Sequence, residues 1–288
     1  MGWGKKLMEI VLAKSAGFCF GVKRATQMAF EAASVNEPIC SLGPVIHSPQ
    51  VVKKLGEKGV KVVSEVDGVS PGSSVIVRSH GVTAEEMAQI EDKGLQVVDA
   101  TCPFVKKAQE YAARLSQDGY VVVIVGELEH PEVQGIVSYA GGATKVHVVS
   151  DAAQASELPR AAKIGLVAQT TQVFENFSQI VAVCLAKSQE LRVYNTICDA
   201  TSLRQNEARE IALTVDLMFV IGGQASANTS RLARICGEIQ PQTKHIETAE
   251  EILPEWFSDV KKVGVTAGAS TPRWLIDEVL ARVAELGK

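Results

Sequence analysis

Two periods of hydrophobic and polar residues alternate along the chain. Short runs rich in Val, Ile and Leu fall at 9–15, 38–42, 60–64, 74–77, 95–99, 120–125, 145–149, 164–167, 191–194, 217–221, 244–246 and 263–265. Runs of this kind predict strands buried on both faces. Most are separated by stretches whose apolar residues recur every three or four positions, the period of an amphipathic helix. Gly, Pro, Ser and Thr punctuate the joins. The alternation predicts an α/β fold with mostly parallel sheets and right-handed crossovers. In such sheets ligands bind beyond the C-terminal strand ends, so the loops that leave the strands are the places to look for chemistry.

Those loops repeat. Cys19-Phe20-Gly21-Val22-Lys23-Arg24-Ala25 matches Cys102-Pro103-Phe104-Val105-Lys106-Lys107-Ala108 at most positions by residue type, and Cys198-Asp199-Ala200-Thr201-Ser202-Leu203-Arg204 is a looser third copy. His47, His130 and Ser226 each follow their cysteine by 28 residues. Repetition at this scale predicts three similar α/β units: 18–101, 102–194 and 195–288. The third unit runs out of chain before its last strand. The N-terminal strand, within residues 1–17, is expected to fill that place and deliver Cys19. Three such units form a pseudo-threefold ring with the cysteines at its centre.

Composition narrows the class. A net charge of −4 and a pI near 5.8 argue against a general nucleic-acid binder, which carries a basic surplus. No apolar run approaches the roughly 20 residues needed to cross a bilayer. The stretch 1–14 lacks the apolar core and cleavage site of a signal peptide. The expectation is a cytoplasmic protein without membrane or nucleic-acid partners, whose six cysteines stay reduced.

A lone cysteine at a strand end is ordinarily a small core residue, and Cys40, Cys184 and Cys236 read that way. Cys19, Cys102 and Cys198 differ because each is expected where a strand gives way to a helix, whose positive end favours thiolate. Three converging thiolates suit a zinc ion with an open fourth position or a 4Fe–4S cluster with one open iron. The ferredoxin C-x-x-C spacing is missing from the sequence, which argues against a simple electron carrier. His47, His80 and His130 stand at strand ends beside Gly or Pro and read together as donors to an anion. Ser226, Asn228 and Ser270 are expected at helix starts, where free N–H groups and hydroxyls bind phosphate. Glu132, beside His130, is the natural proton donor in a closed polar pocket. The basic pairs Lys23/Arg24 and Lys106/Lys107 read as a solvated face, or as a dock for an acidic electron donor.

At these residues the sequence resembles the 4-hydroxy-3-methylbut-2-enyl diphosphate reductases. The motifs are Ala16-Gly17-Phe18-Cys19-Phe20-Gly21-Val22, Gly43-Pro44-Val45-Ile46-His47, Arg78-Ser79-His80-Gly81, Asp99-Ala100-Thr101-Cys102-Pro103, His130-Pro131-Glu132-Val133, Gln169-Thr170-Thr171, Asn195-Thr196-Ile197-Cys198 and Thr266-Ala267-Gly268-Ala269-Ser270. The resemblance implies three α/β domains around one 4Fe–4S cluster held by Cys19, Cys102 and Cys198, with an open iron for the substrate hydroxyl. It implies that His47, His80, Ser226, Asn228 and Ser270 surround the diphosphate, with His130 close by. Thr170 would hydrogen-bond the substrate hydroxyl, with Thr171 adjacent, and Glu132 would supply the proton. The implied reaction is reductive dehydroxylation of an allylic diphosphate to isopentenyl and dimethylallyl diphosphates, the last step of the non-mevalonate pathway. Reduced ferredoxin or flavodoxin would supply the electrons. Ala227 departs from the family pattern, which has a small polar residue or Gly there, and leaves only a backbone N–H for the ligand. A three-cysteine zinc hydrolase acting on a phosphorylated substrate and an iron–sulfur redox sensor are the rival readings.

Overall fold

The computed structural model describes residues 8–35, 38–141 and 146–287. The chain begins with β1 (Glu9–Leu12), α1 (Phe20–Ala33), β2 (Ile39–Leu42), α2 (Pro49–Gly56), β3 (Lys61–Val63), β4 (Ser74–Val77), α3 (Ala84–Asp92) and β5 (Gln96–Asp99). It continues with α4 (Pro103–Gln117), β6 (Val121–Val125), α5 (Pro131–Tyr139), β7 (Val146–Val149), α6 (Ala152–Ser156), β8 (Ala161–Ala168), α7 (Phe174–Lys187) and β9 (Ser188–Val193). It closes with α8 (Asp199–Ala212), β10 (Leu217–Ile221), α9 (Ala227–Ile239), β11 (Thr243–Ile246), β12 (Lys262–Ala267) and α10 (Arg273–Leu286).

These strands make three parallel four-stranded sheets, ordered β3-β2-β4-β5, β7-β6-β8-β9 and β11-β10-β12-β1. The order is the same in each. In every sheet the last-named edge strand leads directly to one of the repeated cysteines: β5 to Cys102, β9 to Cys198 and β1 to Cys19. β1 lies beside β12 in register Glu9↔Lys262 to Leu12↔Val265. The chain divides into two compact units. One contains the chain up to Val22, residues 47–51 and the chain from Asp199 onward, and so the β11-β10-β12-β1 sheet. The other contains Lys23–Ile46 and Val52–Cys198, with the remaining two sheets.

Burial explains the strand composition. β6 is Val-Val-Val-Ile-Val and β10 is Leu-Met-Phe-Val-Ile, almost wholly inaccessible because helices cover both faces. The helices that follow Cys102 and Cys198 pack closely on strands through glycine. A Cβ on Gly165 of β8 would come within 2.5 Å of Leu115 in α4. One on Gly264 of β12 would meet Ile211 of α8 at 2.7 Å and Met218 of β10 at 2.6 Å.

Several expected elements differ in extent. β1 stops at Leu12 rather than residue 15 because, after Ala13 N bonds Val265 O, the next two backbone N–H groups turn to the Glu207 carboxylate. The segment after β7 contains the short helix α6, which the hydrophobic pattern does not reveal. Asp151 caps it by accepting from Gln154 N at 2.9 Å, and five residues are too few to leave a helical period. β8 begins at Ala161, ahead of the apolar run, because its first residues pair with the early part of β9. The expected strand start at Lys145 and the segment 1–7 lie outside the described residues. Among the described residues, no helix is long and apolar enough to cross a membrane.

Candidate functional site

In the larger unit the predicted residues form one connected path. Cys102 caps α4, and its N–H donates to Ser79 O at 2.9 Å, which places it beside the loop carrying His80. The rings of His80 and His130 meet edge to face with centroids 5.5 Å apart. His130 caps α5, and its Nδ1 accepts from Glu132 N at 3.1 Å. Glu132 is only 2% exposed. Its Oε1 accepts from Thr170 N at 2.6 Å and its Oε2 from Thr170 Oγ1 at 2.9 Å. The Thr170 carbonyl in turn accepts from Cys198 N at 2.9 Å. Two thiols are thereby linked through a histidine pair and a buried carboxylate. Thr171 sits half-buried in the turn after β8.

The smaller unit gathers the remaining candidates around the loops after β10 and β12. Ser226 caps α9, accepting from Thr229 N at 3.3 Å and Thr229 Oγ1 at 3.0 Å. Ala227 is the first residue of that helix and Asn228 the second, one turn position inside the expected helix start. Asn228 is 9% exposed, and its Nδ2 has no hydrogen-bond partner. Ser270 does not lie at a helix start as expected, because α10 begins at Arg273 with Pro272 as its cap. Its Oγ instead donates to His47 O at 3.0 Å, tying the His47 segment to the loop after β12. Gly223 faces the same carbonyl, and a Cβ there would lie 3.1 Å from it. Cys19 joins this loop through its N–H, which donates to Ala269 O at 3.3 Å.

The six cysteines separate into two classes. Cys40, Cys184 and Cys236 are buried in strand or helix cores, whereas Cys19, Cys102 and Cys198 are half-buried. Burial pushes the Cys184 thiol up and the Cys236 thiol up to about 12, so both stay protonated and poor as ligands. The other three each stand at the first residue before a helix: α1, α4 and α8. A soft donor set of three thiolates fits an iron–sulfur cluster or zinc. Carboxylate-preferring ions such as Mg²⁺ do not suit it.

The basic pairs are less specific. Lys106 is held by Asp99 at 2.5 Å, and Lys107 lies 5.6 Å from the centre of the Tyr111 ring. Sequence reasoning passed over Gln169, which is fully buried with Nε2 unpartnered while its Oε1 accepts from Glu127 N at 3.2 Å. It also passed over Thr229, whose side chain supports Ser226 and fills the space in front of Gly222 and Gly268. The Gln-Thr-Thr and Gly-Ala-Ser strings were visible, but which neighbour supports which loop depends on the fold.

Comparison with known proteins places the chain in a family. A family model described as LytB protein matches residues 10–284. The 4-hydroxy-3-methylbut-2-enyl diphosphate reductase of Syntrophotalea carbinolica is 62% identical over 281 residues, covering 98% of this chain and 100% of the relative. The enzyme of the same name from Geobacter sulfurreducens is 62% identical over 278 residues, covering 96% and 98%. A solved (E)-4-hydroxy-3-methyl-but-2-enyl diphosphate reductase, described as the terminal enzyme of the non-mevalonate pathway, is 46% identical. It superposes with a TM-score of 0.71, covering 97% of this chain and 100% of that one. The Plasmodium falciparum E-1-hydroxy-2-methyl-but-2-enyl-4-diphosphate reductase is 26% identical, with a TM-score of 0.90 and coverage of 96% and 87%. On this match, over nearly its whole length, the chain belongs to the LytB family of 4-hydroxy-3-methylbut-2-enyl diphosphate reductases.

Proposed function

We propose that the chain reduces (E)-4-hydroxy-3-methylbut-2-enyl diphosphate to isopentenyl and dimethylallyl diphosphates, with Cys19, Cys102 and Cys198 holding a 4Fe–4S cluster that has one open iron. The observation that carries the reading is the buried Glu132–Thr170 pair next to Cys198, because it brings a proton-holding carboxylate and a hydroxyl to a thiol ligand. When bound, the cluster would polarise the substrate hydroxyl as a Lewis acid and pass on the two electrons of the reaction. The balance is two electrons and two protons in: the allylic C–O bond breaks, a C–H bond forms, and the hydroxyl leaves as water.

The protein's own part follows from its hydrogen bonds. With Glu132 protonated at Oε2, the proton sits on the bond to Thr170 Oγ1, and that hydroxyl can pass its own proton to the departing oxygen. At 2% exposure, Glu132 is shielded from bulk water. At the other end of the substrate, Asn228 Nδ2, the Ser226 cap and the N-terminus of α9 supply donors to the diphosphate. Ala227 contributes its N–H alone. His47 and Ser270, whose loops are bound to each other, and the His80–His130 pair complete the anion's surroundings. Within each unit the hydrogen bonds named above fix the side chains, which lowers the reorganisation cost of binding an anion. Reduced ferredoxin or flavodoxin is the electron donor in this reading. The division into units 18–101, 102–194 and 195–288, the last completed by β1, is supported by the common strand order.

The test is the metal content of protein purified without oxygen, followed by turnover of the allylic diphosphate with a chemical reductant. About four iron and four sulfide per chain, with both isoprenyl products formed, is the expected result. About one zinc and no sulfide, with release of phosphate instead of reduction, would replace this reading with that of a zinc hydrolase.

A further inference from the structure

Cys19 reaches its place in an unusual way. Cys102 and Cys198 follow edge strands deep in the sequence, whereas Cys19 follows β1, a four-residue edge strand near the start of the described chain. The connection from β1 to α1 is seven residues, 13–19, and contains no helix or strand of its own. Its backbone polar groups therefore need partners from elsewhere.

Two side chains on α8 supply them. Glu207 accepts from Lys14 N at 2.6 Å, from Ser15 N at 2.8 Å and from the Ser15 hydroxyl. Arg204 donates to Ser15 O through Nε at 3.1 Å and Nη2 at 2.7 Å, and to Gly17 O through Nη2 at 2.8 Å. The two residues are three apart and so share a helix face. Arg204 is 3% exposed, which is rare for an arginine unless its donors are satisfied. Beyond the clamp, Gly17 has φ +99°, and a Cβ there would sit 3.1 Å from Ile276 and 3.3 Å from Thr271 O. Then Cys19 N bonds Ala269 O. The loop is thus fixed at residues 14, 15 and 17 by α8 and at 17 and 19 by the segment after β12. The helix that provides the clamp starts one residue after Cys198.

We infer that Arg204 and Glu207 are positioning residues for the Cys19 thiolate, holding its loop so that this ligand stays on the iron–sulfur cluster. The inference rests on the proposal that Cys19 is a cluster ligand. Groups one step removed from a metal ligand commonly change metal retention by 10- to 100-fold when altered, because they fix the ligand's orientation. A short edge strand frays readily, and without the clamp its fraying would carry the cysteine away.

The experiment uses anaerobically purified holoprotein. Iron and sulfide per chain, the rate of cluster loss to an iron chelator, and the electron paramagnetic resonance spectrum of the reduced cluster are measured for wild type, Cys19→Ser, Glu207→Ala, Glu207→Gln and Arg204→Lys. Asp216→Asn is the control: it alters an equivalent carboxylate clamp, on Lys261 N and Lys262 N, at the far end of β12. The expected result is cluster loss about 10-fold faster in Glu207→Ala and Arg204→Lys, with a changed spectrum and partial recovery in Glu207→Gln. Turnover per remaining cluster should be retained, and Asp216→Asn should keep the wild-type loss rate at a similar fall in thermal midpoint. If Glu207→Ala does not fold, the Glu207→Gln and Arg204→Lys rates decide. Wild-type loss rates and spectra in the folded clamp variants, with Cys19→Ser defective, would overturn the inference alone. A wild-type chain without iron and sulfide would overturn it together with the reading beneath it.

Discussion

Glu132 shows how much one side chain can carry. Both its oxygens are committed to Thr170, one to the backbone N–H and one to the hydroxyl, and its own N–H is committed to His130. A glutamine in its place can keep the acceptor toward Thr170 N and turn its NH₂ toward Thr170 Oγ1, which accepts as readily as it donates. Packing and fold are then preserved, and the transferable proton is lost. Glu132→Gln should therefore hold a full complement of iron and sulfide and melt within a few degrees of wild type. Its turnover should fall by about 100-fold or more, the usual contribution of a positioned acid. Normal turnover with an intact cluster would remove Glu132 from the role. The residue was readable in the sequence because it stands two positions after His130, just past a strand end. Its partner was not: Thr170 is 38 residues away, and no local pattern joins them.

The elements obey rules that the sequence showed only partly. Several strand ends were legible because their apolar runs stop at Gly or Ser, and the constant spacing from each cysteine to His47, His130 or Ser226 aligned the units. The structure explains that spacing: each of the three residues lies five positions past the last paired residue of its strand, Leu42, Val125 or Ile221. The strand register exposes a further equivalence. Ser74, Gly165 and Gly264 each lie three residues before the partner of those strand ends, so a small residue occupies the same place in all three sheets. Spacing alone could not show this, because a glycine in a strand looks like a weak strand position until the helix above it is known. Gly165→Ala would set a methyl within 2.5–2.9 Å of three atoms of Leu115, a side chain that is itself fully buried. Overpacking of this kind costs about 1–3 kcal/mol. Urea unfolding should show that loss without a change in the iron content of the folded fraction. The start of β12 yields a pH-dependent prediction. Backbone N–H groups of Lys261 and Lys262 hold the Asp216 carboxyl below its ordinary value of 3.8. The unfolded chain therefore takes up the proton first as the pH falls. The clamp's contribution is complete above that ordinary value and fades as the pH drops through the lower folded value. Asp216→Asn should have a lower urea midpoint than wild type at neutral pH, and the difference should shrink below about pH 4. A constant difference down to pH 3 would show that charge is not involved.

For the whole molecule, the proposed function turns on the division of cysteines into two classes. The proposed ligands Cys19, Cys102 and Cys198 come from three segments separated by 83 and 96 residues. No short peptide can hold the group, and each ligand depends on the sheet that delivers it. The other three thiols are spread through three separate cores, with Cys40 beside Val75 and Val77, Cys184 beside Ile180, and Cys236 beside Leu232. Two of them are raised by burial away from the thiolate form that metals require. The triple variant Cys40→Ala/Cys184→Ala/Cys236→Ala removes one sulfur from each core. That costs about 1 kcal/mol per site, and the sites are independent enough to add. A native stability of about 5–15 kcal/mol leaves the variant folded. It should bind as much iron and sulfide as wild type and turn over at the wild-type rate per cluster. Cys19→Ser, Cys102→Ser and Cys198→Ser should each keep the fold and lose the stable cluster, because a serine hydroxyl does not ionise as a thiol does. Iron retention that tracks the half-buried set and ignores the buried set would tie the cluster to the repeated strand ends. Iron loss in the triple variant at unchanged helix content would mean that a core thiol is a ligand, and the three repeated cysteines alone would no longer account for the site.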